Sequence, residues 1–510
     1  MSQRQVDADF LALPLDACAD AALAHAQELG AGHADIRVVS LRTSMLNLRD
    51  ARLDGAVLDH DKGLSVRVLV DGCWGFAASD VISPDAARAT AARAVALARV
   101  SAPLTTRRVV LAPEPVHIGS WVSAYDIDPF AVPENERIAL MADRSSALLG
   151  HGAIAHVDAS LMAVKEQTFY ADVAGTRTTQ QRVRIQGEWQ AVAIDPDSGA
   201  FETMSTTAPP AGRGWEYLLG GGDEVGGARP WDWDDEIGRL PELLGEKLTA
   251  PSAEPGRYDV VIDPSNLWLT IHESVGHATE LDRALGYEAN YAGTSFATPD
   301  QLGLLKYGSP LMHVTGDRVA AHGLSTVGWD DEGVGAQSWD LVRDGTLVGY
   351  QLDRSMAAEF DLPRSNGCAY ADSAIHTAIQ RMPNVSLQPI ADGPSIEGLI
   401  AGVEDGIYIV GDKSWSIDMQ RFNFQFTGQQ FHRIKSGKLA GQLKDVAYQA
   451  TTTEFWGSMT AVGGPSTYRL HGAFNCGKGQ PGQVASVSHG CPAAAFESVN
   501  ILNSVQEGGR

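Results

Sequence analysis

Residues 257–288, RYDVVIDPSNLWLTIHESVGHATELDRALGYE, constrain this chain more than any other stretch. Val260, Val261 and Ile262 form a short β-branched run, and Asp263 and Pro264 follow in the order that caps and opens a helix. Leu267, Ile271, Val275, Ala278 and Leu285 then make an apolar stripe at helical spacing. A strand that turns at once into a helix is predicted, with His272, Glu273 and His277 on the helix rather than in a loop.

The spacing of those histidines sets a problem. In H-E-x-x-H the histidines share a helical face with the glutamate between them, the pattern of a zinc-dependent peptidase. Here the second histidine arrives one residue late. Positions i and i+4 lie ~40° apart around an α-helix and positions i and i+5 ~140° apart, so a regular helix would not bring His272 and His277 to one ion. An inserted residue absorbed as a single-turn π-bulge would return His277 to the missing slot, and Gly276, without a side chain, is placed to let it form. The bland alternative is a pair of surface histidines on an amphipathic helix. With 14 histidines in 510 residues, H-E-x-x-x-H is expected by accident in roughly 0.02 chains of this composition.

Two imidazoles do not complete a catalytic zinc site, which takes three protein ligands and leaves a position for water. Glu280 and Glu288 each qualify by composition, as ligand or as a group that orients a ligand histidine, and a distant cysteine or histidine is equally admissible. Near the end, YRLHGAFNCGKGQPGQVASVSHGCP reads as a glycine-dense loop around Cys476, with His471 and His489 at a distance. Cys476 is open to three readings: zinc ligand, nucleophile with a histidine as base, or inert turn residue. The five cysteines (Cys18, Cys73, Cys368, Cys476 and Cys491) are odd in number, scattered and without a C-x-x-C pair, which fits a reducing cytoplasm. Cys491, in HGCP, is the only other one that invites a question.

A formal charge of -24, from 39 Lys and Arg against 63 Asp and Glu, argues against a nucleic-acid partner, whose phosphates need clustered positive charge. No apolar run of about 18 residues is present to span a bilayer. The opening MSQRQVDADFLALPLD lacks the basic and apolar regions of a signal peptide, so the expectation is a cytoplasmic protein without membrane association.

The pattern as a whole reads as α+β. An N-terminal α/β sheet-and-helix domain is expected over 1–115, with a helix from Leu15 stopping at Gly30, an Asp71-Gly72 hairpin and a helix capped by Ser83. A middle α+β segment over 116–250 follows, with a Gly/Pro-rich linker near 205–230. A sheet-rich C-terminal domain over 251–510 carries the motif helix.

Taken in order, KGLSVRVLVDGCWGFAAS, HESVGHATELD, the DDEG of 330–333, the RMPN of 381–384 and NCGKGQ resemble the TldD/PmbA family of metallopeptidases, and within it the metal-bearing TldD branch. The resemblance implies a zinc ion held by His272, His277 and Cys476, Glu273 as the base, and Glu280 behind a ligand. It further implies hydrolysis of short or unfolded peptides with low sequence selectivity, and a dimer of one chain or with a PmbA-type (TldE) paralogue. The motif-less branch of the family implies the alternative, a non-catalytic regulatory or peptide-binding subunit, and the intact His272, Glu273, His277 and Cys476 speak against it. Two segments depart from the family pattern: SVSHGCPAA stands where glycine, glutamine and proline are usual, and Pro383 where threonine is. The expected consequence of both lies in substrate preference.

Overall fold

The structure, a computed structural model, describes residues 4–225 and 229–507. A sheet of seven strands runs through the N-terminal half: β1 (His33–Arg49), β2 (Arg52–Val70), β3 (Cys73–Ser79), β4 (Ile118–Val122), β5 (Ile154–Asp172), β6 (Arg177–Ile194) and β7 (Phe201–Ser205). Its order is β3-β2-β1-β5-β6-β4, with β7 paired to β6. Asp71 and Gly72, with φ of 50° and 76°, make the tight turn between β2 and β3.

Long strands alternate, and outside residues 52–62 of β2, which are largely exposed, much of both faces is buried. On one face Ile36 and Val38 pack beneath the helices Leu15–Glu28 and Pro84–Ser101. Further along the same face Leu46, Leu48, Val157 and Leu161 pack with the helices Glu134–Leu149 and Trp233–Thr249. The opposite face carries Asp35, Arg37, Arg67, Glu166, Arg182 and Arg184, all buried. Charges on a buried face need partners: Glu166 pairs with Arg182 and Arg184, and Asp35 with Arg67, within the sheet, while Arg37 and Arg67 also reach into the C-terminal half. Arg37 Nη1 donates to Asp331 Oδ2 at 2.6 Å and Arg67 Nη1 to Glu332 Oε1 at 2.9 Å. Asp331 and Glu332 of the DDEG segment thus help to join the two halves, as does Arg364 Nε, which donates to Glu114 Oε2 at 2.7 Å.

The C-terminal half is built around a second seven-stranded sheet. Strand Gly256–Ile262 lies between Asp405–Ile417 and Ala494–Asn503, which continues through Val446–Thr451 to Asn423–Lys435. Asp405–Ile417 also pairs with Asn423–Lys435, so five strands close on themselves. The helix Pro264–Ile271 leaves this ring and is buried along its whole length, with Leu267, Ile271 and Val275 in the core that also holds Phe424, Phe426 and Tyr448. Asp263 caps it by accepting from Ser265 N. A two-stranded hairpin, Arg469–Lys478 with Gln483–Cys491, packs against that helix. Among the described residues no helix is long and apolar enough to cross a membrane.

Candidate metal centre

The motif helix changes its winding where the histidines begin. Pro264–Ile271 is α-helical, His272–Gly276 is one π turn and His277–Thr279 a 3-10 turn. A π turn breaks the regular ladder and leaves carbonyls to be satisfied by other groups. Tyr307 donates its hydroxyl to Ser274 O, Thr279 Oγ1 donates to Val275 O at 2.8 Å, and Gln351 Nε2 donates to Gly276 O at 2.5 Å. Side chains from three places therefore hold the bulge open.

Gly276 serves this turn through packing rather than conformational freedom, its φ being an ordinary -54°. A Cβ there would lie 2.6 Å from Met382 Sδ and 3.6 Å from His489 Cε1. The bulge places the His272 and His277 rings 4.7 Å apart at 78°.

Cys476 joins them from the hairpin. Glycine density predicts a loop at this point, but the residue sits in the strand Arg469–Lys478, beside an irregularity between Ala473 and Cys476. Cross-strand bonds with Gln483–Cys491 make a strand of a glycine-rich segment whose local preference is for turns. Its sulfur lies 3.8 Å from His277 Nε2, and one ligand atom from each of His272, His277 and Cys476 falls within 4.8 Å of the others. A tetrahedral ion with bonds of roughly 2.0 to 2.3 Å separates its ligand atoms by roughly 3.3 to 3.7 Å. The three side chains therefore fit zinc once separations of up to 4.8 Å close by as much as roughly 1.5 Å.

The hydrogen-bond partner of His277 also fixes which of its nitrogens keeps the lone pair that a metal would need. His277 Nδ1 lies 2.8 Å from Glu280 Oε2, and since a carboxylate only accepts, Nδ1 carries the hydrogen and Nε2 keeps its lone pair. Burial holds His272 and His277 below the ordinary histidine range, against the pull of nearby carboxylates and, for His277, of Cys476. Burial alone would push the Cys476 thiol up, but His277 beside it and then Arg381 bring it below its usual value. Each of the three shifts is thus in the direction of the deprotonated form that a metal requires.

Glu280 is held in place by a buried charge cluster that sequence reasoning missed. Lys478 Nζ lies 3.2 Å from Glu280, 2.8 Å from Asp282 and 3.1 Å from Glu288, and Arg283 Nε donates to Glu280 at 3.0 Å. Burial would raise Glu280, yet Lys478, His277 and Arg283 keep it well below the usual carboxylate range, while burial leaves Asp282 and Glu288 raised. Glu280 is therefore the member that stays ionised behind His277. Lys478 belongs to the CGK run, so its place in the sequence was a signal, although its partners were not.

Glu273 has a partner of its own. Its Oε2 accepts from Arg421 Nη1 at 2.8 Å, and among the described residues Oε1 accepts no hydrogen bond. Arg421 sits at φ 63° in the turn between Asp405–Ile417 and Asn423–Lys435, a turn built on the Asp418 carboxylate, which accepts from Phe422 N at 2.8 Å and Asn423 N at 3.0 Å. No local sequence pattern marked Arg421. Cys491 lies apart, fully buried, with Sγ 3.6 Å from Pro264 O and its thiol pushed well up by burial.

Residues 255–503 match the family model described as PmbA/TldA metallopeptidase C-terminal domain, and residues 34–98 match domain 1 of the same family. The chain belongs to this PmbA/TldD metallopeptidase family. A metalloprotease of Methanothermobacter thermautotrophicus is 27% identical over 480 residues, covering 92% of this chain and 95% of the relative. A protein of Saccharolobus solfataricus named zinc metalloprotease TldD homolog is 21% identical, over 93% and 98% of the two chains. In structure, TldE from Thermococcus kodakarensis superimposes with a TM-score of 0.67 at 15% identity, covering 95% of this chain and 99% of that one.

Proposed function

We propose that this member of the PmbA/TldD family is a zinc-dependent peptidase that hydrolyses short or unfolded peptides with low sequence selectivity. The observation that carries the reading is the convergence of His272, His277 and Cys476 within 4.8 Å, with Glu273 adjoining His272. The printed name of the Saccharolobus relative is consistent with zinc as the metal.

Zinc bound there would polarise the scissile carbonyl and lower the pKa of a water molecule. The chain's own residues do the rest. His272, His277 and Cys476 would hold the ion, and Glu280, anchored by Lys478 and Arg283, fixes the His277 ring. Glu273 takes the water's proton on Oε1 and passes it to the leaving amine, while Arg421 on Oε2 keeps the carboxylate aimed. One thiolate among the ligands reduces the net positive charge of the site, so turnover is modest. The peptide pairs through its backbone with a sheet edge, which gives affinity without selectivity. The family resemblance adds a dimer, of this chain or with a PmbA-type (TldE) paralogue, and light scattering of the chain alone decides between them.

The test is to measure zinc per chain and turnover on a mixture of unstructured peptides for the parent and Glu273→Gln. Turnover falls by at least about 100-fold in Glu273→Gln, the usual contribution of a general base, with zinc content unchanged. Full activity in that variant would refute the reading. A second reading, a thiol hydrolase using Cys476 with His277 as base, draws on their 3.8 Å separation. Activity that survives metal removal by a chelator would favour it.

A further inference from the structure

His272 has a partner of a different kind from that of His277. Its Nδ1 lies 2.7 Å from His489 Nε2, and His489 Nδ1 lies 2.9 Å from the Val385 carbonyl oxygen. A carbonyl can only accept, so the hydrogen between His489 and Val385 sits on His489 Nδ1. In the neutral ring Nε2 is then the acceptor, and the hydrogen between the two rings belongs to His272 Nδ1. That leaves the lone pair of His272 on Nε2, the atom free to face His277 and Cys476.

We propose that His489 is a positioning residue of the metal centre: a neutral imidazole that fixes the tautomer and ring orientation of His272 by relaying the Val385 carbonyl to it. This rests on the zinc reading above and goes beyond it, since neither the motif nor the ligand set involves His489. The ring is held for such a role. His489 is fully buried, its ring centroid lies 6.0 Å from that of Trp268 with the planes at 19°, and it stands at 86° to His272. It also occupies the same hairpin as Cys476, on the strand Gln483–Cys491, so a single element delivers the sulfur and the orienting ring.

The choice of an imidazole has an electrostatic consequence. The hydrogen-bond partner of His277 is an ionised carboxylate, Glu280, which makes that imidazole a stronger donor. With a thiolate already among the ligands, a second carboxylate behind His272 would remove still more positive charge from the ion. A neutral acceptor fixes the ring and leaves the charge in place. The departure SVSHGCPAA, which on sequence bears on substrate choice, is thereby placed in the support of the metal.

The experiment measures zinc affinity by competition with a chelator of known affinity, for the parent, His489→Leu and His489→Gln, with circular dichroism as the check on folding. His489→Leu keeps similar bulk without an acceptor and loses about 10- to 100-fold in affinity, the usual cost of removing such a partner. His489→Gln restores an acceptor and stays within about threefold of the parent. In the cobalt-substituted proteins the visible spectrum changes in the Leu variant and not in the Gln variant. Equal zinc affinity in folded parent and His489→Leu overturns the proposal. A crystal structure of the zinc-loaded parent decides the matter if His489→Leu does not fold: zinc on His272 Nδ1, or on His489 itself, overturns it as well. A parent that binds zinc without hydrolysing peptides sinks the peptidase reading and leaves this one standing. A parent that binds no zinc ends both.

Discussion

At the scale of single residues, the site is organised by what lies behind each of the proposed metal ligands and the proposed base. His277 has Glu280, His272 has His489 and Glu273 has Arg421, and each partner comes from a different part of the chain. Arg421 is the most exposed to test. It is mostly buried, donates to Glu273 and Ala292 O, and its Nε has no hydrogen-bond partner among the described residues. A charge-assisted bond of this kind contributes about 1.5 to 3 kcal/mol, here holding one rotamer of the proposed base. Arg421→Gln is expected to lower kcat roughly 10- to 100-fold, which is what that energy converts to, with KM changed by less than about threefold and zinc content intact. Arg421→Lys recovers part of kcat. Steady-state kinetics on a peptide mixture check this, and an unchanged kcat would reduce Arg421 to a turn residue.

At the scale of elements, the π turn is the feature on which the centre depends. The late histidine makes such a turn legible in sequence, because only an absorbed residue brings His272 and His277 together. What stabilises it was not legible: Tyr307, Thr279 and Gln351 cap its carbonyls, and the first and last of these come from segments with no motif. Gly276 is needed because Met382 fills the space where its side chain would be. Gly276→Ala is therefore expected to cost about 1 to 3 kcal/mol by overpacking, and to cost less in a chain that already carries Met382→Ala. Urea unfolding of the four proteins in the cycle measures the coupling. Strictly additive losses would show that the glycine is required for some other reason.

At the scale of the whole molecule, two sheet-bearing halves meet across a buried charged face, and burial on that scale sets the response to acid. His471, nearly inaccessible on the strand Arg469–Lys478, has its pKa pulled down to about 3, chiefly by burial and then by Arg469. The unfolded chain would bind a proton there near pH 6.5, and the folded chain would not. This histidine's contribution is therefore fully present above about pH 6.5 and is lost as pH falls from there towards 3. His471→Gln should lose less stability than the parent between pH 7 and pH 5, read as the shift of the urea midpoint, and an identical shift would count against the assignment. Sequence alone determined the strand-to-helix unit, its Asp263 cap, the His272, Glu273 and His277 pattern and the family, because caps, periodicity and motif spacing are local signals. It also singled out Cys476, but took its strand for a loop, since glycine content reports local freedom and not the partner strand that uses it. Only the tertiary structure decided what surrounds those residues. The Lys478 cluster, Arg421 on Glu273 and His489 on His272 join positions roughly 150 to 220 apart in the chain, and a hydrogen bond across such a distance exists only once packing has brought its ends together and excluded water from it.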